Sequence, residues 1–99
     1  MNPIIMIEKE LTETDVSQYG RLRLPKKKVN NIIAITRVPI PHSGIQVEIV
    51  DNSNSYWVNL RLDSTGYFIG SGWNLLRDAR QLKAGDVIRL DWQNYKFTF

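Results

Sequence analysis

The feature that most limits how this chain can fold is a series of short segments in which apolar and polar residues alternate. Ile45–Val50 alternates cleanly, and Tyr56–Leu62 alternates again after turn-forming residues at 51–55. This two-residue period is typical of strands that bury one face and expose the other. Further strand signals lie at residues 4–11, 22–24, 67–69, 87–92 and 95–99. The chain is therefore predicted to be mainly β.

Two segments depart from the two-residue period. Within residues 73–82 the apolar residues recur at helical spacing, which predicts an amphipathic helix, and Gly85 can end it in the left-handed conformation. Pro25 can occupy the first turn of a short helix through residues 26–30. Six or seven short strands with two short helices indicate a compact barrel or sandwich. No repeat or linker interrupts the 99 residues, so residues 1–99 are predicted to form one domain.

The residues that most enzymes and metal sites require are missing or isolated. The chain has no cysteine, which excludes disulfides, thiolate zinc sites, iron–sulfur clusters and cysteine nucleophiles. His42 is the only histidine and is predicted to be an exposed loop residue. The acidic residues are scattered, and no glycine-rich nucleotide-binding pattern occurs. We therefore expect no catalysis, no metal site and no small-molecule cofactor.

No segment has the pattern of a membrane span or a secretory signal. No apolar run approaches the roughly 20 residues that cross a bilayer, and the N-terminal residues lack a basic head followed by a long apolar stretch. We expect a soluble domain of a reducing or redox-indifferent compartment, without a membrane partner.

The positive charge is concentrated in one part of the chain. The formal net charge is only +3, but residues 16–47 contain six basic residues and no acidic one. These six are Arg21, Arg23, Lys26, Lys27, Lys28 and Arg37. A segment with one sign of charge can be a contact surface for a polyanion, or it can be a solvated face without a partner.

Within this basic segment, residues 16–28 combine two kinds of side chain that can bind DNA. Gln18 and Arg21 can form bidentate hydrogen bonds with base edges in the major groove. Lys26–Lys28, at the start of a helix, can neutralise phosphates. The structural alternative is that Gln18 and Tyr19 only close a hairpin.

The three tryptophans are interpreted as core residues. Trp57, Trp73 and Trp92 each lie in a strand or helix pattern, and large aromatic side chains usually stabilise a protein by burial. Stacking on nucleic-acid bases is the less favoured interpretation.

Several motifs together resemble the plant B3 (B-three) DNA-binding domain of auxin response factors and of the abscisic-acid-insensitive and leafy-cotyledon regulators. The opening Leu-Thr-Glu-Thr-Asp-Val at residues 11–16 is followed by Gly-Arg-Leu-Arg-Leu-Pro-Lys-Lys at residues 20–27. Gly72-Trp73, with Leu-Lys-Ala-Gly-Asp-Val-Ile at residues 82–88 behind it, is similar to the second signature of that family. Trp57 also fits, and the resemblance covers nearly the whole chain.

The resemblance implies a seven-stranded open β-barrel, the DNA-binding pseudobarrel, with two short α-helices. It implies two arms in the major groove of double-stranded DNA, a role in sequence-specific transcription regulation, and a nuclear location. The first arm would be Ser17, Gln18, Tyr19, Gly20 and Arg21. The second would be Asp63, Ser64, Thr65 and Gly66, with Arg61 at its shoulder. Lys26, Lys27 and Lys28 would lie beside the phosphates, and Arg23 completes the expected DNA-binding set.

The chain also departs from the family pattern. Many members carry basic or asparagine-rich residues in the second arm, whereas Asp63 here could accept from a cytosine amine or fix the turn. Ser71 stands where a basic residue often precedes the Gly-Trp pair. Two alternatives follow: a protein-interaction module with weak DNA binding, or the DNA-recognition domain of a restriction-type endonuclease, since bacterial restriction enzymes carry domains of similar fold. The Gly-Arg-Leu-Arg-Leu-Pro-Lys string at residues 20–26 is also similar to the swapped-hairpin transition-state regulators of bacteria. These are a less favoured match, because their domains are much shorter and lack the Gly-Trp helix.

Overall fold

The structure, a computed structural model, describes residues 5–18, 20–37 and 40–99. Within these ranges the chain forms seven strands and three helices. In chain order they are β1 (Ile5–Glu10), α1 (Glu13–Val16), β2 (Leu22–Arg23), α2 (Lys26–Thr36), β3 (Ile45–Asp51), β4 (Asn54–Asp63), β5 (Gly66–Ile69), α3 (Trp73–Ala79), β6 (Val87–Gln93) and β7 (Lys96–Thr98).

All seven strands belong to one sheet, in the order β1-β6-β7-β3-β4-β5-β2. Every pairing is antiparallel except that of β3 with β7. The alternation in β3 and β4 directs Val47, Ile49, Val58 and Leu60 into one apolar core, to which α2 and α3 contribute further side chains. The predicted mainly β, seven-stranded open barrel is confirmed.

The two strands at the ends of the sheet, β1 and β2, are joined through a buried carboxylate rather than through a backbone ladder. Asp15 is 1 % exposed and accepts from Lys9 Nζ at 3.0 Å, from the Arg23 amide at 3.2 Å and from the Thr12 amide at 2.8 Å. Lys9 also donates to the backbone oxygen of Arg23. The ends of the open sheet are thus held together by one ion pair and its hydrogen bonds.

Helix α1, which carries Asp15, is absent from the sequence-based prediction of two helices. Its four residues are too few to show a helical period. A local signal does exist, because Thr12 and Asp15 form a reciprocal capping box in which each side chain accepts from the backbone amide of the other.

The two predicted helices are present with different ends. Helix α2 continues to Thr36 instead of stopping at residue 30, because Val29 and Ile32 pack in the core and outweigh the low helix propensity of branched residues. Helix α3 ends at Ala79, before residue 82, since Gln81 adopts the left-handed conformation with φ of 52°.

The prediction that all three tryptophans lie in the core is wrong for Trp57. Trp73 and Trp92 are buried, whereas Trp57 is 60 % exposed. In β4 the inward positions are taken by Val58 and Leu60, so Trp57 lies on the outer face of the sheet.

The buried Asp15 makes stability depend on pH on the acid side. Burial alone raises the pKa of Asp15, but hydrogen bonds from the Thr12 and Arg23 amides and the Lys9 ammonium together lower it below its usual value. Because the folded pKa is below the unfolded one, the stabilisation is present above about pH 4 and is lost as the pH falls further. Urea unfolding between pH 2 and pH 7 should show this loss, with a flatter profile for Asp15→Asn. Parallel profiles for the two proteins would contradict this assignment.

Candidate nucleic-acid interface

The register of three strands places the two predicted arms beside the two ends of β5, with Arg23 and Arg61 between them. Here "first loop" denotes residues 17–21 and "second loop" denotes residues 63–66. Arg23 of β2 and Arg61 of β4 are both paired with Phe68 of β5, from opposite sides. The first loop enters β2 beside one end of β5, and the second loop enters β5 at its other end. The four residues of β5 separate them by about 10 Å.

Between the two loops, three arginines surround one aromatic ring. The Cζ atoms of Arg21, Arg23 and Arg61 lie 4.7, 5.0 and 5.9 Å from the centroid of the Phe68 ring. Phe68 is only 3 % exposed although it is on the outer face of the sheet, because the guanidinium groups cover it. Cation–π attraction and this coverage hold the three cations together around Phe68. We call these four residues the Arg–Phe68 cluster.

A polar depression of about 320 Å³ borders the cluster. Its lining residues are Gln18, Gly20, Arg21, Asn59, Arg61, Phe68, Gly70, Ser71 and Asn74. It thus combines two guanidinium groups with three side-chain amides, the groups that pair bidentately with guanine and adenine edges. Asn59 and Asn74 are missing from the predicted site set. The alternation of β4 places Asn59 on the face of Arg61, whereas no local pattern points to Asn74.

The first loop is held by α1 and α3. The Gly20 amide donates to the Ser17 oxygen at 2.9 Å, and Arg77 of α3 donates to the same oxygen at 2.7 Å. A Cβ atom on Gly20 would lie 2.0 Å from the Thr14 oxygen, so this position requires glycine. Gln18 is exposed at the rim, and Tyr19 lies outside the described residues.

The second loop is organised by Asp63. Its Oδ1 atom accepts from the Thr65 amide at 2.9 Å, the Thr65 hydroxyl at 2.8 Å and the Gly66 amide at 3.0 Å. Arg23 binds the same carboxylate with both terminal nitrogens, at 2.9 and 3.0 Å. The Arg23 guanidinium, followed by the Thr65 hydroxyl, holds the pKa of Asp63 well below its usual range. Asp63 therefore fixes the turn, while Ser64 and Thr65 are exposed at the tip.

Lys26, Lys27 and Lys28 form the exposed first turn of α2. This helix has no acidic residue in its first turn and no side-chain hydrogen bond at its N-cap. Three ammonium groups at the positive end of a helix dipole are unfavourable until an anion neutralises them. The Leu24 amide donates to the Tyr67 oxygen at 3.0 Å, which holds the start of α2 beside β5.

Across residues 5–18, 20–37 and 40–99 no three histidine, cysteine or acidic residues come together as metal ligands. Over the same ranges, no helix is long and apolar enough to cross a membrane. His42 is exposed, as predicted.

Known proteins share both the sequence pattern and the fold. Residues 7–99 match the family described as "B3 DNA binding domain". The chain is 64 % identical over 99 residues to the B3 domain-containing protein At1g08985 of Arabidopsis thaliana, covering 100 % of this chain and 98 % of that protein. The structure of the hypothetical Arabidopsis thaliana protein At1g16640.1 is similar with a TM-score of 0.71 and 19 % identity, covering 97 % of this chain and 87 % of that one. The Arabidopsis FUS3–DNA complex has a TM-score of 0.68 and 20 % identity, covering 97 % and 93 %.

Proposed function

The chain belongs to the B3 DNA-binding domain family, and we propose on this basis that it binds double-stranded DNA in the nucleus as part of a transcription regulator. We further propose that the first and second loops enter the major groove and that Arg21 and Arg61 of the Arg–Phe68 cluster face the bases between them. A fold neighbour is a protein–DNA complex, which supports the choice of ligand.

The arrangement of the two loops carries this proposal. They flank a surface about 10 Å long, and the major groove is about 12 Å wide. Arg21 and Arg61 reach this surface with their guanidinium groups held against Phe68, so little side-chain entropy is lost on binding. Arginine pairs with guanine O6 and N7, and the amides of Gln18 and Asn59 suit adenine.

Phosphate binding is assigned to the first turn of α2. Lys26, Lys27 and Lys28 are exposed and close to the second loop through the contact of Leu24 with Tyr67. A phosphate there would interact with the lysines and with the positive helix end at once. Neutralisation of phosphates releases counterions. The logarithm of the affinity should therefore fall linearly with the logarithm of the salt concentration.

The role of Arg21 in base recognition can be tested by comparing two duplexes. A preferred site is first selected from randomised DNA, and affinities for this site and for a random duplex are measured by fluorescence anisotropy. Arg21→Ala is expected to weaken the binding free energy by about 1–3 kcal/mol for the selected site and by much less for the random duplex. Lys83→Ala, on the exposed turn between α3 and β6, is the matched control and should change neither value. Equal losses on both duplexes for Arg21→Ala would exclude Arg21 from base recognition.

An exposed apolar pair favours a second candidate function, binding of another protein. Trp57 on β4 and Leu75 on α3 are both exposed, and their elements pack against each other. Large exposed apolar side chains are enriched in protein interfaces. A chain that fails to bind any duplex at low salt, yet retains a protein partner through Trp57, would support this candidate over DNA binding.

A further inference from the structure

We infer that Asp63 is a specificity-determining positioning residue, which withholds the charge of Arg23 from DNA phosphates while it fixes the second loop. The inference rests on the proposed DNA binding and assigns different roles to the three arginines. Arg23 stabilises the second loop, whereas Arg21 and Arg61 contact the DNA.

The bonds of the Asp63 carboxylate leave little capacity for a base. Oδ1 accepts from Arg23, from the Thr65 amide and hydroxyl and from the Gly66 amide, at 2.8 to 3.0 Å. Oδ2 accepts from the second terminal nitrogen of Arg23 at 3.0 Å. A cytosine amine would have to displace one of these donors or share Oδ2 with Arg23. Of the two roles considered for this acidic residue, fixing the turn fits these bonds.

The same hydrogen bonds neutralise one of the three positive charges in the Arg–Phe68 cluster. Arg23 presents both terminal nitrogens to one carboxylate, so the pair contributes no net charge to the surface. Arg21 and Arg61 form no ion pair with any residue that the structure describes. Of the three cations on this face, two are therefore available to DNA.

A smaller number of unpaired positive charges on this surface favours discrimination between DNA sequences. Contacts to phosphates strengthen binding to every sequence equally, whereas contacts to base edges distinguish sequences. An unpaired Arg23 between the loops would add affinity for random DNA and leave the second loop without its link to β2. The carboxylate of Asp63 prevents both effects.

The variant Asp63→Asn tests this inference, because asparagine keeps an oxygen for the Thr65 and Gly66 amides but removes the negative charge. We expect the affinity for a random duplex to rise about three- to tenfold at 0.1 M salt, and the salt slope to steepen by about 0.9. The preference for a selected site over random DNA should fall by a similar factor. The double variant Asp63→Asn/Arg23→Gln should abolish the gain.

Asp91→Asn is the matched control, since Asp91 forms its ion pair with Arg89 on β6, a strand that is not adjacent to β2, β4 or β5 in the sheet. It makes the same change in net charge and should leave both affinities nearly unchanged. An equal gain in the two variants would overturn the inference, as would a random-duplex affinity that does not rise in Asp63→Asn. Loss of affinity confined to sites with cytosine at one position would show that Asp63 reads a base, which also overturns it. If the wild-type chain binds no duplex, the proposed function fails and the inference fails with it.

Discussion

Replacement of Lys26, Lys27 and Lys28 together by glutamine is expected to lower the affinity for DNA about 10²-fold at 0.1 M salt. The loss should be the same for selected and random duplexes, because phosphate contacts carry no sequence information. Each contact contributes about 0.9 to the slope of log affinity against log salt, so the slope should become shallower by up to about 2.7. Anisotropy titrations over a series of salt concentrations measure both quantities.

The same variant should fold at least as well as the wild type. Removing three positive charges from the first turn of α2 relieves their repulsion with the helix dipole, worth about 0.3–1 kcal/mol for each charge at an exposed site. A matched triple variant replaces Lys83, Arg89 and Lys96 by glutamine, which removes the same charge from the segment 83–96. Its affinity for DNA should be close to that of the wild type. Similar losses of affinity in the two triple variants would show that only net charge matters, against the assignment of phosphate binding to α2.

Replacement of Trp73 by alanine is expected to lower the free energy of unfolding by about 3–5 kcal/mol. Trp73 is completely buried at the start of α3, and its indole Nε1 donates to the backbone oxygen of Asp15 at 2.8 Å. The change would therefore open a cavity and also release α1, which carries the carboxylate between β1 and β2. Such a loss is a large part of the 5–15 kcal/mol that stabilises a typical domain.

Trp57→Ala is the control for this prediction, since its side chain is exposed on β4. Its cost should stay below about 1 kcal/mol. Urea unfolding followed by circular dichroism gives both values, and Trp73→Phe provides a milder variant if the alanine protein does not fold. Equal costs at the two positions would contradict the burial described above.

Local patterns were sufficient to predict the strands, because alternation is a property of consecutive residues. The same alternation places Trp57 on the face of Arg61, yet the general tendency of tryptophan to be buried led to the opposite prediction. The position within β4 decides the outcome, since Val58 and Leu60 already occupy the core side. One turn of helix, α1, was missed because only its capping box marks it.

The contacts within the site are harder to predict from the sequence than the fold is. Positions of the two loops follow from motifs, but the pairing of Arg23 with Asp63 joins residues 40 apart and depends on the register of β2, β5 and β4. The Arg–Phe68 cluster depends on the same register, as Arg61 and Arg23 meet Phe68 from different strands. No local pattern encodes a register between distant strands, so these contacts required the structure.

Site-specific cross-linking can show whether both loops contact the same duplex. The chain has no cysteine, so a photoreactive group can be attached to a single introduced cysteine in Gln18→Cys, Ser64→Cys or Ser53→Cys. Ser53 lies in the turn before β4, about 30 Å along that strand from the second loop. We expect cross-links to the same selected duplex from positions 18 and 64, and none from position 53. Cross-linking from position 53 as efficient as from the other two, or from only one of the two loops, would contradict it.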